Sequence, residues 1–113
     1  WNMVLDKQGG PNWFENWCVA PVIVDPDNDE VYFTPLYYTM AHFSKYIRPD
    51  AKVIDVTNSD DELMVTAAKN PDGSITVVIL NQGENPKNFT LKLEEKSTSI
   101  LINPQAIQSI VLL

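Results

Sequence analysis

The chain has 113 residues, of which 44% are hydrophobic and 20% charged, a composition typical of folded globular domains and unlike that of disordered chains. Its net charge of −7 and pI near 4.4 argue against a basic surface, so nucleic acid is not expected as a partner. It contains no run approaching about 18 apolar residues, so we expect no membrane span, and the single Cys18 leaves no intramolecular disulfide.

The first seventeen residues contain all three tryptophans of the protein and two of its four glycines. Residues Trp1–Asp6 are predicted to form a short strand. The turn that follows combines Gly9 and Gly10, which tolerate positive φ, with Pro11, which cannot continue a ladder of backbone hydrogen bonds. This segment therefore predicts a strand that ends in a tight turn.

Aromatic rings crowd the next loop, at Trp13, Phe14 and Trp17, beside the amides of Asn12 and Asn16. Indole presents an apolar face on which a sugar ring can lie, while side-chain amides can hydrogen bond its hydroxyls. The pattern is equally typical of rings that pack in a core. The residues alone leave both interpretations open.

A helix is predicted from Thr34 to Ile47, with Thr34 as its cap and Pro35 at the first helical position. Its apolar positions form one stripe, made of Leu36, Met40, Phe43 and Ile47. His42 lies off this stripe and is the only histidine, without a nearby partner for a metal site, so a structural hydrogen bond is favoured over catalysis.

From residue 51 onward, strand patterns recur at nearly regular spacing, separated by turn residues. This spacing is typical of an antiparallel β-sandwich. In the best hairpin, Asn70-Pro71-Asp72-Gly73 suits a type I turn closed by a bulge. The alternating apolar positions predict that its second strand is buried on both faces. The predicted strands are 52–56, 62–69, 74–81, 88–93, 98–102 and 108–113.

The N-terminal third resembles the end of the catalytic barrel in glycoside hydrolase family 30, the glucosylceramidase-like retaining β-glycosidases. The resemblance is carried by four motifs: Trp1–Asp6 joined to the Gly9–Trp13 turn, Ala20–Asp25, Pro35–Tyr38 and His42–Ile47. It is close over residues 1–50 and is limited to the strand pattern beyond. It implies a mainly β fold: an antiparallel sandwich at 51–113, preceded at 1–50 by the last strand, loop and helix of a (β/α)8 barrel.

Retaining glycosidases use two carboxyl groups about 5–5.5 Å apart. In the family both are glutamates that lie upstream of the segment matched here, so the resemblance implies no catalytic residue, no cofactor and no metal in this chain. It implies instead a substrate wall made by Trp1, Asn16 and Trp17. Asp6 is expected to cap the turn after the first strand.

Two acidic clusters lack the spacing of a calcium loop and are interpreted as solvated turn carboxylates. They are Asp25/Asp27/Asp29/Glu30 and Asp60–Glu62. Cys18 has no histidine close in sequence that could activate it, so a buried thiol is expected. Asn88-Phe89-Thr90 matches the N-glycosylation sequon, a pattern that also arises by chance.

The sequence is thus interpreted as a C-terminal fragment of a secreted retaining β-glycosidase, inactive alone, whose parent binds a β-glucoside or β-glucan. The expected location is extracellular or periplasmic, or lysosomal in an animal. In the family the sandwich also takes strands from the N-terminal side of the barrel, so the resemblance implies an unpaired edge in this chain that favours self-association. The alternatives are a free-standing carbohydrate-binding module and an adhesion sandwich without a ligand.

Overall fold

A computed structural model of the chain describes residues 2–12, 14 and 17–113. The chain divides into two compact units, Trp1–Ala41 and His42–Leu113. The predicted boundary at residue 50, between the end of the barrel and the sandwich, stays a prediction.

The N-terminal unit contains one three-stranded sheet. Its strands are β1 (Val4–Asp6), β2 (Val22–Asp25) and β3 (Glu30–Phe33), in the order β1-β2-β3. β1 pairs parallel with β2, so that Asp6 lies opposite Val24, and β2 pairs antiparallel with β3. The first strand is shorter than predicted because Asn2 takes a left-handed backbone, with φ of 56°, which an extended strand excludes.

Helix α1 (Pro35–Ser44) begins at the predicted residue. The Thr34 hydroxyl donates to the carbonyl oxygens of Ala20 and Pro21, each 3.1 Å away, and so ties the start of the helix to the residues that precede β2. The helix ends three residues earlier than predicted, although Ile47 N still donates to Phe43 O at 2.9 Å. None of the ten residues of α1, all of which are described, is buried.

The C-terminal unit is the predicted antiparallel sandwich. One sheet has the order β4-β5-β6-β9 and the other pairs β7 with β8. The six strands lie close to their predicted positions, except that β4 stops early. They are β4 (Lys52–Ile54), β5 (Leu63–Lys69), β6 (Ile75–Asn81), β7 (Lys87–Leu93), β8 (Lys96–Ile102) and β9 (Ala106–Leu112).

The core of the sandwich lies between the two sheets. β6 is one of the two inner strands of the larger sheet, and its residues 76–79 are all buried, which confirms that both of its faces are covered. Side chains from the β7–β8 pair close the other side, as expected where two sheets pack face to face. The buried cluster comprises Leu63, Ala67, Val77, Ile79 and Ile102.

The β5–β6 hairpin has the predicted turn. Gly73 N donates to Asn70 O at 3.0 Å, and Asn70 N donates to Ser74 O at 2.8 Å. Gly73 takes a φ of 89°, which supplies the left-handed residue that a closing bulge requires.

Two features bear on partners. Among the described residues, β7 pairs only with β8, so its other edge is open. No helix in the described part of the chain is long and apolar enough to cross a membrane.

Candidate functional site: the loop after β1

The turn after β1 is organised by Asp6. Its Oδ1 accepts hydrogen bonds from the backbone N–H of Gln8 at 2.9 Å and of Gly10 at 2.8 Å. The backbone closes the same turn, since Asp6 N donates to Gly10 O at 2.7 Å. A short carboxylate that bonds the amides following it is the typical Asx arrangement. The predicted capping role of Asp6 is confirmed.

The two glycines of the turn are buried and enclosed by backbone. Gly9 has φ of 75°, and a Cβ placed there would lie 2.4 Å from the backbone nitrogen of Cys18. A Cβ on Gly10 would lie 3.0 Å from Asn12 N and 3.1 Å from Asp6 Oδ2. Gly9 therefore satisfies two requirements at once, a left-handed backbone and close approach of the returning chain.

An open depression of about 270 Å³ lies against this turn. The indole of Trp17 borders it and is 69% exposed. The remaining lining residues come from the turn itself: Asp6, Gln8, Gly10, Pro11 and Asn12. Because the depression follows β1 at its carboxyl end, it lies where the loops of parallel β/α enzymes carry their ligand-binding residues.

The amide of Asn12 serves the loop. Its Nδ2 donates to Gly9 O at 3.2 Å, and its Oδ1 accepts from Phe14 N at 3.3 Å. Both ends of the amide thus hold the backbone that passes beside Trp17. A sugar-binding role, which the sequence also allowed for Asn12, would have to compete with these contacts.

An ion pair that the sequence analysis did not predict links Lys7, in the turn after β1, to Asp25 at the end of β2. Lys7 Nζ lies 2.8 Å from Asp25 Oδ1 and 3.5 Å from Asp27 Oδ2. Asn28 Nδ2 also donates to Asp25 Oδ2 at 2.8 Å. Hydrogen bonding from Lys7, and then from Asn28, lowers the pKa of Asp25, and the same contact raises the pKa of Lys7.

Asp25 therefore corrects the prediction that its cluster consists of solvated carboxylates, because it is 2% exposed and paired. The signal that could have revealed this ion pair is the position of Lys7 and Asp25 relative to their strands. Parallel pairing of Asp6 with Val24 makes Lys7 and Asp25 the next residues on adjacent strands.

The second acidic cluster is also paired. Lys87 Nζ contacts Asp60 Oδ2 at 2.7 Å and lies within ion-pair distance of Glu62. Hydrogen bonding from Lys87 lowers the pKa of Asp60. No group of three or more His, Cys, Asp or Glu side chains suited to a metal ion occurs among the described residues.

His42 and Cys18 are the two single side chains that the sequence analysis considered as possible reactive groups. His42 Nδ1 lies 2.9 Å from Ser109 Oγ, whose hydroxyl donates to His42 O at 3.2 Å, so the predicted hydrogen-bonding role is confirmed. Cys18 is a free thiol that is half-buried, less enclosed than predicted.

Of the three predicted wall residues, the structure places Trp17 at the depression. Trp1 and Asn16 lie outside the described residues, as do Trp13 and Glu15. The assignment of the substrate wall stays a prediction.

The chain matches two family models in succession. "Glycosyl hydrolase family 30 TIM-barrel domain" matches residues 1–47, and "Glycosyl hydrolase family 30 beta sandwich domain" matches residues 50–110. The second match alone covers more than half of the chain. The chain belongs to glycoside hydrolase family 30.

Relatives within family 30 include curated proteins from two animals. The chain is 38% identical over 92 residues to the lysosomal acid glucosylceramidase of Mus musculus, covering 80% of this chain and 18% of that protein. It is 45% identical over 84 residues to the putative glucosylceramidase 1 of Caenorhabditis elegans, covering 73% of this chain and 16% of that protein. The chain thus spans about a sixth of the length of these relatives.

Solved structures show the same architecture. SrfJ from Salmonella typhimurium superposes with a TM-score of 0.95 at 28% identity, over 99% of this chain and 25% of that one. An endo-β1,6-glucanase superposes with a TM-score of 0.87 at 25% identity, over 96% of this chain and 25% of that one. The arrangement of the described elements is therefore that of family 30 glycoside hydrolases.

Proposed function

We propose that this chain is the C-terminal part of a secreted retaining β-glycosidase. In this proposal the loop after β1 forms part of the substrate wall, and the sandwich is a non-catalytic domain that braces the barrel. The observation that carries the proposal is the ordered pair of family matches, barrel end and then sandwich. The catalytic acid/base and nucleophile would be supplied by a longer product.

The exposed indole of Trp17 supports a role in substrate contact. It borders an open depression whose backbone is fixed by Asp6, Gly9 and the Lys7–Asp25 pair. An exposed indole of this kind can accept the apolar face of a sugar or aglycone. We assign Trp1 to the flank of the pocket that holds the cleaved sugar, and Asn16 and Trp17 to the loop at the mouth of that pocket, with Trp1 and Asn16 positioning the sugar.

The substrate class proposed is a β-glucoside, with glucosylceramide ahead of β-1,6-glucan. Relatives named glucosylceramidase share 31–45% identity with the chain, while relatives named endo-1,6-β-D-glucanase share 30–33%. The lysosomal relative also supports passage through the secretory route.

A free-standing carbohydrate-binding module remains the second candidate, because Trp17 is an exposed aromatic platform. Such a module would need its binding face on the sandwich. Trp17 belongs instead to the compact unit Trp1–Ala41, which favours the glycosidase.

The open edge of β7 further suggests that the isolated chain self-associates. Sedimentation velocity over a range of concentrations tests this idea. A species that stays monomeric at high concentration would contradict it.

The first experiment is to measure the intact mass of the native product from its source and to read the sequence upstream of Trp1. We expect a product longer by at least a barrel, about 250 residues. Proton NMR of its reaction with an aryl β-glucoside should show the β-anomer released first, as retention requires. A native product that starts at Trp1 would move the binding-module interpretation to the front.

The second experiment tests the wall in that longer product. We expect Trp1→Ala to lower kcat/KM by about 100-fold, and Trp17→Ala to raise KM several-fold with little change in kcat, since a residue at the pocket mouth contributes uniform binding. Tyr38→Ala, which removes a 57% exposed aromatic from α1, is the matched control. Kinetics unchanged in both tryptophan variants would refute the wall assignment.

A further inference from the structure

The sequon Asn88-Phe89-Thr90 lies within β7, where strand geometry separates its three side chains. Asn88 and Thr90 are exposed, while Phe89 packs against the buried core of the sandwich. Successive side chains of a strand point to opposite faces. The asparagine and the threonine, which are the two residues that the transferase must read, therefore project from the same side.

The surroundings of Asn88 are those of a solvated face. Opposite it on β8 lies the exposed Leu101, and Thr90 lies opposite the exposed Ser99. Farther along β7, Lys92 continues the exposed face and pairs with Ser97. Asn88 and Thr90 also stand at the rim of an open cleft of about 340 Å³ that borders residues 56–60.

We propose that Asn88 is an N-glycosylation site. This inference rests on the secretory route in the proposed function, and on the exposure of both required side chains. The sugar donor would be a lipid-pyrophosphate-linked oligosaccharide in the lumen, with its transferase. Asn88 Nδ2 forms a bond to C1 of the first sugar and loses one proton to a base of the transferase, while the C1–O bond breaks and the lipid pyrophosphate leaves with the bonding electrons.

A glycan at this position has a structural consequence. It stands on the strand whose other edge is open among the described residues, and a bulky, hydrated group there obstructs edge-to-edge pairing with another chain. The proposal thus links modification at Asn88 to the association state of the protein.

The test is secretion of the chain from insect cells behind a signal sequence, followed by intact mass measurement before and after peptide N-glycosidase. We expect the mass of one oligosaccharide, lost on digestion with conversion of Asn88 to aspartate. Asn88→Gln and Thr90→Ala should each abolish the added mass, whereas Thr90→Ser should retain it. Asn85→Gln, at an exposed asparagine followed by Pro86, is the matched control and should change nothing.

The result that overturns the proposal is a secreted wild-type chain without glycan. Lys96→Asn, which builds a second sequon with Ser97 and Thr98 at the exposed end of β8, shows that the host transferase reaches the chain. This test measures a mass and does not depend on the β-glycosidase activity of the longer product. A glycosylated chain whose longer product cleaves no β-glucoside would refute the proposed function and leave this site standing.

Discussion

The two units of the chain are stabilised in different ways. In the sandwich unit, apolar side chains of β5, β6 and β8 meet in a common core, with Ile79 and Ile102 each 1% exposed. In the N-terminal unit, all four residues of β3 are exposed and α1 has no buried residue. Polar contacts made by Asp6, Lys7 and Thr34 hold that unit together instead.

The difference shows what each unit contributes. Burial of apolar surface stabilises a fold without regard to direction, whereas hydrogen bonds and ion pairs fix positions but contribute little net free energy. Within the described residues, apolar burial is therefore concentrated in the sandwich, and polar contacts define the turn after β1.

Tryptophan fluorescence can separate the two units, because all three tryptophans lie in residues 1–17. Far-UV circular dichroism reports the strands, most of which lie in the sandwich, together with helix α1. The strand part of its melt therefore follows the sandwich. Each unit can thus be tested by its own measurement, the N-terminal unit by fluorescence and the sandwich by circular dichroism.

The largest effect is expected from Val77→Asp. Val77 is 3% exposed at the centre of the sandwich, and an unpaired carboxylate there should cost more than about 4 kcal/mol, which is enough to prevent folding. Urea unfolding followed by circular dichroism measures this loss. The control Val53→Asp, at a position 80% exposed, should stay within about 0.5 kcal/mol of wild type.

The next largest effect is expected at Asn70, a buried amide that joins the hairpin to the chain after α1. Its Oδ1 accepts from Arg48 N at 2.9 Å, and its Nδ2 donates to Tyr46 O at 3.0 Å and to Thr76 Oγ1 at 3.2 Å. Asn70→Ala should lower the free energy of unfolding by about 2–4 kcal/mol, because buried partners lose their bonds.

The control for Asn70 is Asn103→Ala, whose side chain is exposed. Equal unfolding midpoints for these two alanine variants in urea would show that the buried amide is not a determinant of stability.

A smaller, local effect is expected from Gly9→Ala. Residue 9 has a left-handed backbone, and the new Cβ would collide with the backbone of Cys18. The resulting strain is about 1–3 kcal/mol, and the loop can relieve it by opening. Tryptophan emission should shift and acrylamide quenching should increase, while the circular dichroism melt stays at the wild-type temperature.

Gly73→Ala is the counterpart in the sandwich. Its φ is 89° and no atom lies within 4 Å of the new Cβ, so only the left-handed backbone costs free energy, about 1–2 kcal/mol. It should lower the circular dichroism melt and leave the emission spectrum unchanged. The reverse pattern in either glycine variant would break the comparison.

The smallest effect concerns pH. The pKa of Asp25 is lowered by Lys7 in the folded protein, so the pair contributes stability above the ordinary carboxyl value of 3.8 that is lost as pH falls through the folded value. The pKa of Lys7 is raised, so its contribution is present below its ordinary value of 10.5 and is lost as pH rises through the folded value. The tryptophan emission spectrum should therefore stay constant between the acid and the alkaline pH limits of this pair.

Lys7→Met tests this assignment. Without the ammonium, the pKa of Asp25 rises, so the acid transition in tryptophan emission should begin at higher pH than in wild type. Lys69→Met, at an exposed sandwich lysine, should not move that transition. If the acid transition of Lys7→Met began at the same pH as that of wild type, the Lys7–Asp25 pair would not anchor the loop.

The local fold was predictable wherever its cause is local. Alternation of apolar residues placed the strands of the sandwich, Pro35 marked the start of α1, and Gly73 marked the bulge of the hairpin, because each acts on backbone within a few residues of itself. The family also followed from short motifs in the first 50 residues.

Other features depended on which distant residues meet. The ion pair of Lys7 with Asp25 exists only because β1 and β2 run parallel in a particular register. The burial of Asn70 against Tyr46 likewise requires the chain to return to a defined place.

The sequence by itself determined the positions of the sandwich strands, the turn chemistry and the family, because periodicity and backbone preference are properties of neighbouring residues. Only the tertiary structure decided which polar groups are paired, which face of β7 carries Asn88, and that Trp17 stands exposed beside the turn. These depend on register and packing, which bring together residues that are far apart in the chain.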